Sequence, residues 1–176
     1  MEYTMKVAGL ERKLPLCKLN DDLYIGAFVI FGDAELTVAC ARELLKKAPE
    51  YDYLITAVAK GIPLAHEMAR QNQDPYYFVA RKAPKLYMQK VFSVSVHSIT
   101  TAAQQTLYLD QVDADKMRGK RVLIVDDVIS TGESLHALEK LVGEAGGNIV
   151  GRMAILAEGD AQNRDDLIYL EKLPLF

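Results

Sequence analysis

Residues Arg121–Ser134, R-V-L-I-V-D-D-V-I-S-T-G-E-S, constrain this chain more than any other stretch. Val122–Val125 is a continuous aliphatic run, the composition of a strand buried on both faces, and such strands belong to parallel sheets covered by helices. Asp126 and Asp127 follow at the strand's carboxyl end, where open α/β sheets place their ligands. The loop Val128–Ser134 then offers hydroxyls from Ser130, Thr131 and Ser134, and Gly132 is free to adopt a positive φ. A helical pattern starts directly after it, so the free N–H groups and the helix dipole favour an anion there. Carboxylates accept hydrogen bonds from sugar hydroxyls, while a neighbouring nest of N–H groups holds a phosphate. The segment reads as a ribose-phosphate site.

The rest of the chain alternates strand-like and helix-like patterns, which favours an α/β fold with a mostly parallel central sheet flanked by helices. Asp33 can cap a helix whose apolar positions Leu36, Ala39, Cys40 and Leu44 keep the helical period, with Pro49 as its stop. Tyr53–Ala57 is a buried strand, and Pro63 opens the next helix with Leu64, Ala65 and Met68 inward. Tyr76–Ala80 is a further strand, ending at the basic segment Arg81-Lys82-Ala83-Pro84-Lys85. Phe92, Val94 and Val96 alternate with Ser93, Ser95 and His97, a half-exposed strand whose antiparallel partner is Gln105–Leu109. A helix with Leu135, Leu138, Leu141 and Val142 on one face follows the Asp-Asp segment, and Asn148–Leu156 is the last long strand. Phe28 and Phe31 read as core, His97 as an exposed strand residue, and Glu158, Asp160, Asp165 and Asp166 as a solvated acidic face. With 176 residues, half of them apolar, residues 1–176 are expected to form one domain around one core.

A net charge of −3 gives no basic footprint, so nucleic acid is not an expected partner. No apolar run is long enough to span a bilayer and Met1–Leu10 has no signal-peptide pattern, so a cytoplasmic location is expected. Cys17 and Cys40 lack metal or redox spacing and read as reduced thiols.

Arg121–Ser134 resembles the signature of the type I phosphoribosyltransferases, which bind 5-phosphoribosyl-1-pyrophosphate (PRPP). By position, the resemblance implies that Asp126 and Asp127 hold the ribose and act in catalysis. Ile129, Ser130, Thr131, Gly132, Glu133 and Ser134 would form the 5-phosphate loop. Val58-Ala59-Lys60-Gly61, after the Tyr53–Ala57 strand, resembles the same family's pyrophosphate loop. Lys60 would supply a point charge and Gly61 close backbone approach. Val58 stands where purine-salvage members often have an acidic residue. The strand followed by Arg81, Lys82 and Lys85 resembles the adenine and xanthine members, in which this stretch lies near the pyrophosphate and sometimes reaches across a dimer interface. Leu86–Gln105 occupies the place of the family's flexible loop. There Thr101 stands where adenine-type enzymes carry a Glu, and Val96–Thr101 is similar to the xanthine-type loop. Base recognition in the family comes from a hood built by the chain termini, here Leu14–Leu19 and the tail beyond Leu156.

The resemblance implies the type I phosphoribosyltransferase fold and a purine phosphoribosyltransferase of nucleotide salvage, adenine-type overall. Such an enzyme converts a purine base and PRPP to the nucleoside 5′-monophosphate and pyrophosphate, with Mg²⁺ held mainly through PRPP, as a homodimer. Two alternatives stand beside it: a xanthine/guanine-type enzyme, and a PRPP-binding regulator with little catalysis. Regulators of that kind carry an added DNA-binding domain, for which this chain has no room, so one of this length would act through a protein partner. V-L-I-V-D-D also resembles the first strand of a phospho-acceptor receiver domain. A receiver would need most of its sheet after these acids, and only 49 residues follow Asp127.

Overall fold

The computed structural model describes residues 1–97 and 104–176. Thr101, and with it the Ser98–Thr101 part of the xanthine-type resemblance, lies outside the described residues. The central sheet has five parallel strands in the order β10-β9-β8-β4-β5. These are β4 (Tyr53–Ala57), β5 (Phe78–Ala80), β8 (Arg121–Ile129), β9 (Asn148–Glu158) and β10 (Ile168–Leu173). Along β8 successive side chains alternate between two cores, as strand geometry requires. Val122 and Ile124 join one apolar cluster, and Leu123 and Val125 join the other. Both faces of β8 are therefore buried, which is why its sequence is a continuous apolar run rather than an alternating one.

Helices α1 (Ala34–Leu45) and α2 (Ile62–Gln71) cover one face through Leu36, Cys40, Leu44, Leu64 and Met68. Helices α3 (Gln111–Met117) and α4 (Glu133–Glu144) cover the other, together with the antiparallel pair β6 (Val91–His97) and β7 (Gln104–Asp110). The chain leaves β4 through α2 on the first face and leaves β8 through α4 on the second. Adjacent parallel strands whose connections depart to opposite faces leave a crevice beyond their carboxyl ends, the preferred ligand position in such sheets. β4 pairs with β8 from Tyr53↔Val122 to Ile55↔Ile124 and stops at Ala57. β8 runs on because the eleven-residue β9 continues to pair with it, through Val128↔Leu156 and Ile129↔Ala157. Asp126 and Asp127 thus sit inside an extended strand rather than just past its end, facing the gap that β4 leaves.

The two termini close into one layer. β1 (Glu2–Val7), β2 (Leu10–Asn20) and β3 (Leu23–Gly26) form a three-stranded antiparallel sheet. The C-terminal tail joins its edge: the Tyr24 N–H donates to Phe176 O, the Phe176 N–H to Tyr24 O at 2.9 Å, and the Tyr3 and Phe176 rings are 4.8 Å apart. Met5, Val7, Leu14, Phe28 and Ile30 pack this layer onto α1 and α2. Phe31, read as core from the sequence, is instead 51% exposed, because it lies in the turn that precedes Asp33. The predicted strand from Tyr76 is shorter, beginning at Phe78, while Tyr76 donates to Asp113 across the surface. Asp166, read as part of a solvated acidic face, is paired with Arg164 and Arg152. Among the described residues no helix is long and apolar enough to cross a membrane.

Asp33 joins the terminal layer to the first helix. Its carboxylate accepts from the Leu36 N–H at 3.0 Å as the N-cap of α1 and from Arg12 Nε of β2 at 2.7 Å. The Arg12 guanidinium holds the Asp33 carboxyl below its ordinary range. A group lowered on folding stabilises the fold above its unfolded value and loses that contribution as pH falls through its folded one. Asp33→Ala is expected to cost about 1 kcal/mol or more at neutral pH, the worth of an N-cap. Urea melts should show this deficit shrinking below the ordinary carboxylate range.

Candidate active site

The crevice between β4 and β8 is a cavity of about 250 Å³. Its lining brings together Val58, Ala59 and Lys60 from the β4–α2 loop, Asp126 and Asp127 from β8, and Ile129–Gly132 and Ser134 from the loop into α4. Lys82 reaches it from the end of β5. Gly61 stands behind the wall, and Glu133 opens α4.

Two backbone features form this shape. Gly132 has a φ of +79°, the left-handed conformation that favours glycine, and it turns the chain from β8 into α4 as its N-cap. The Thr131 hydroxyl accepts from the Glu133 N–H at 3.4 Å, and Gly132 O accepts from the His136 N–H at 2.8 Å. Gly61 answers a different demand. A Cβ there would collide with Thr56 Oγ1 and come within 2.8 Å of Asp126 Oδ1 and 3.4 Å of Asp126 Cα. Only a glycine lets the β4–α2 loop lie this close to the acid pair. The Val58–Ala59 peptide in this loop is cis.

The electrostatics are concentrated on the two aspartates. Asp127 is almost fully buried, and among the described residues its Oδ2 has no hydrogen-bond partner; Lys60 Nζ lies 3.8 Å from it. The Asp127 N–H donates to Asp126 Oδ1 at 2.8 Å. Burial, and then the neighbouring Asp127 charge, push the Asp126 carboxyl well above its ordinary value. Thr56 Oγ1, fully buried behind Gly61, also lacks a partner among the described residues. Buried polar atoms are normally hydrogen-bonded. An unpartnered Asp127 oxygen on a residue that lines the crevice therefore marks a place for a polar ligand. The arrangement can accept hydrogen bonds from hydroxyls at the acids, receive an anion at the glycine-turned loop, and offer cations from Lys60 and Lys82.

The basic segment after β5 is split. Arg81 is bridged to Tyr108 in both directions at 2.9 and 2.8 Å and the chain bends at Lys82, so the two line different cavities. Arg81 lines a separate cavity of about 590 Å³ with His66, Tyr76, Tyr77 and Tyr87, which contains neither aspartate. Lys85 is exposed and lines neither cavity. Thr56 supports the site from behind, through Gly61, and its signal in the sequence is a single hydroxyl one residue from the end of an apolar strand.

Known proteins share both the sequence pattern and the fold. The phosphoribosyl transferase domain family matches residues 33–171. A hypoxanthine/guanine phosphoribosyltransferase of Methanococcus voltae is 34% identical over 135 residues, 77% of this chain and 68% of that protein. Its counterpart in Methanocella paludicola is 29% identical over 126 residues, 71% of this chain and 60% of that protein. The chain therefore spans roughly two thirds of these relatives' length. Among solved structures, adenine phosphoribosyltransferase from Thermoanaerobacter pseudethanolicus superimposes with a TM-score of 0.74 at 21% identity, covering 91% of this chain and 95% of that one. The enzyme from Saccharomyces cerevisiae gives 0.68 at 20% identity, covering 90% and 92%. At such identities the structural likeness carries the fold alone, which is the type I phosphoribosyltransferase fold, while the family match spans the sheet and the whole crevice: this chain belongs to the phosphoribosyltransferase family.

Proposed function

We propose that this protein transfers the 5-phosphoribosyl group of PRPP to a purine base, yielding the nucleoside 5′-monophosphate and pyrophosphate. The observation that carries the reading is the pairing, in one crevice, of a buried acid pair with a glycine-turned hydroxyl loop at a helix N-terminus. Asp126 and Asp127 accept from the ribose hydroxyls, Ile129–Ser134 wraps the 5-phosphate, and Lys60 and Lys82 face the pyrophosphate. As the bond from the anomeric carbon to pyrophosphate breaks, positive charge grows on the ribose ring. The acid pair places negative charge beside it, and the two loops hold the reacting atoms in position. Mg²⁺ fits this donor set: such an ion takes one or two carboxylates plus substrate phosphates, and the carboxylates Asp126 and Asp127 both line the crevice. When bound, the ion would neutralise charge on the leaving pyrophosphate. Arg81 and Lys85 do not line the acid-pair crevice of their own chain, so a part for them at the pyrophosphate would call for the neighbouring subunit of a homodimer.

Within the purine class, the names of the sequence relatives favour hypoxanthine or guanine, and the pattern around Arg81 and Lys82 favours adenine or xanthine. Pyrophosphate release with PRPP and Mg²⁺, tested on these four bases in parallel, decides between them. Turnover on at least one is expected. PRPP binding without turnover on any would replace the enzyme with a PRPP-sensing regulator.

Three substitutions test the named roles. Hydrogen bonds to charged groups contribute roughly 1.5–3 kcal/mol, so Asp127→Asn should lower turnover or PRPP affinity by about tenfold to a hundredfold or more. Near-full activity in a steady-state assay would refute the assignment. Gly61→Ala should drive the loop off Thr56 and Asp126, and calorimetry should show PRPP affinity reduced by about tenfold or more, from an overpacking cost of about 1–3 kcal/mol. For Asp126 the sign is the reverse of Asp33. Its carboxyl is raised on folding, so its contribution is fully present below the ordinary Asp value of 3.8 and is lost as pH rises. Asp126→Asn should therefore melt at a higher temperature than the parent protein at neutral pH, converge with it near pH 4, and still lose PRPP affinity.

A further inference from the structure

Behind the phosphate loop lies a cluster of four charged side chains from three elements. Arg152 of β9 donates through Nε to Glu139 Oε1 of α4 at 2.6 Å. Arg164, just past the short helical turn Gly159–Asn163, donates to both oxygens of Asp166 at 2.8 Å and to the same Glu139 oxygen at 3.3 Å. Arg152 Nε lies 3.6 Å from Asp166 Oδ2, so the cluster closes on itself, two cations with two anions. The bonds fix Nε and Nη2 of Arg164. Among the described residues Nη1 donates to no acceptor, and it stands 3.2 Å from where a Cβ on Gly132 would lie. A guanidinium held by a bidentate carboxylate thus lies beside Gly132, the left-handed residue of the phosphate loop, and would crowd any side chain placed there.

We propose that Arg164 is a positioning residue for the phosphate loop: the Asp166–Glu139 clamp holds its guanidinium beside Gly132, where it limits the movement of the turn into α4. The inference rests on the proposed function for the identity of the anion. The proximity itself is independent of that identity. Arg152 provides the internal control, since it shares Glu139 and Asp166 while Arg164 is the side chain beside Gly132.

The test compares Arg164→Gln, Arg164→Lys and Arg152→Gln with the parent protein. Two readouts are used: hydrogen exchange at the Ser130–Leu135 amides without ligand, and the steady-state constants with PRPP. Arg164→Gln is expected to raise exchange in that loop by about tenfold and raise the KM for PRPP by a similar factor, with kcat within about twofold. Arg164→Lys should recover part of the KM and less of the protection, keeping charge without the fork. Arg152→Gln should lower the melting temperature while leaving loop exchange and KM unchanged. Equal effects of the two Gln variants on loop exchange, or none from Arg164→Gln, would overturn the assignment and leave the cluster as a staple of the tail. Parent protein that fails to bind PRPP would count against the proposed function, and the exchange comparison would still decide the role of Arg164.

Discussion

The parallel pairing of β4 with β8 is the interaction on which the site depends. Register Ile55↔Ile124 sets where β4 runs out, and β9 keeps β8 extended for several residues beyond that point. Because α2 and α4 depart to opposite faces, a crevice opens beyond β4 between the β4–α2 and β8–α4 loops. The acid pair is thereby held on a rigid strand at the floor of the crevice, while the two loops that face it hang from strands fixed in register. A shift of one residue in that pairing would exchange the two faces of β8, turn the acid pair out of its present place in the crevice and move Gly61 away from Asp126.

The same geometry concentrates electrostatic cost in one place. A nearly buried Asp127 with one unpartnered oxygen, an Asp126 carboxyl pushed upward by burial and by its neighbour, and an unpartnered Thr56 hydroxyl would all be unfavourable in a purely structural core. They lie together, and the compensation among the described residues is a half-exposed lysine at 3.8 Å from Asp127 and the Asp127 N–H on Asp126. A ligand whose hydroxyls reached the acid pair in the crevice would relieve part of this cost. The outer supports work in the opposite sense. Asp33 with Arg12, and Asp166 with Arg164, are fully paired clusters that tie the terminal layer and the tail to the frame.

Much of this was legible in the sequence because it follows from local chemistry. Val122–Val125 could only be a doubly buried strand, Asp33 capped the helix expected of it, and Pro63 lies in the first turn of α2 as its fixed φ allows. Lys60, Lys82, Asp126, Asp127 and the loop from Ile129 meet in one cavity, as the two loop motifs implied. What escaped the sequence depends on partners far along the chain. β10 is half-buried, with little alternation to announce it, and α3 is seven residues of mostly polar sequence held by its Asp110 cap. Arg81 and Lys82 read alike as neighbours in a basic run, yet Arg81 is bridged to Tyr108 and the chain bends at Lys82, so the two line different cavities. Phe31 had the composition of core but lies in a turn, and Asp166 looked solvated because its partners Arg152 and Arg164 are placed by β9 and the turn after it.

The central claim is that the crevice between the two loops is the PRPP site. Its most direct test is to follow backbone amide shifts while ribose 5-phosphate and then PRPP are titrated into the protein. The account predicts that ribose 5-phosphate moves the amides of Asp126–Ser134, and that PRPP moves these together with Ala59–Gly61 and Lys82. Shifts confined to the cavity of Arg81, Tyr76 and Tyr87, or no shifts with either ligand, would contradict it.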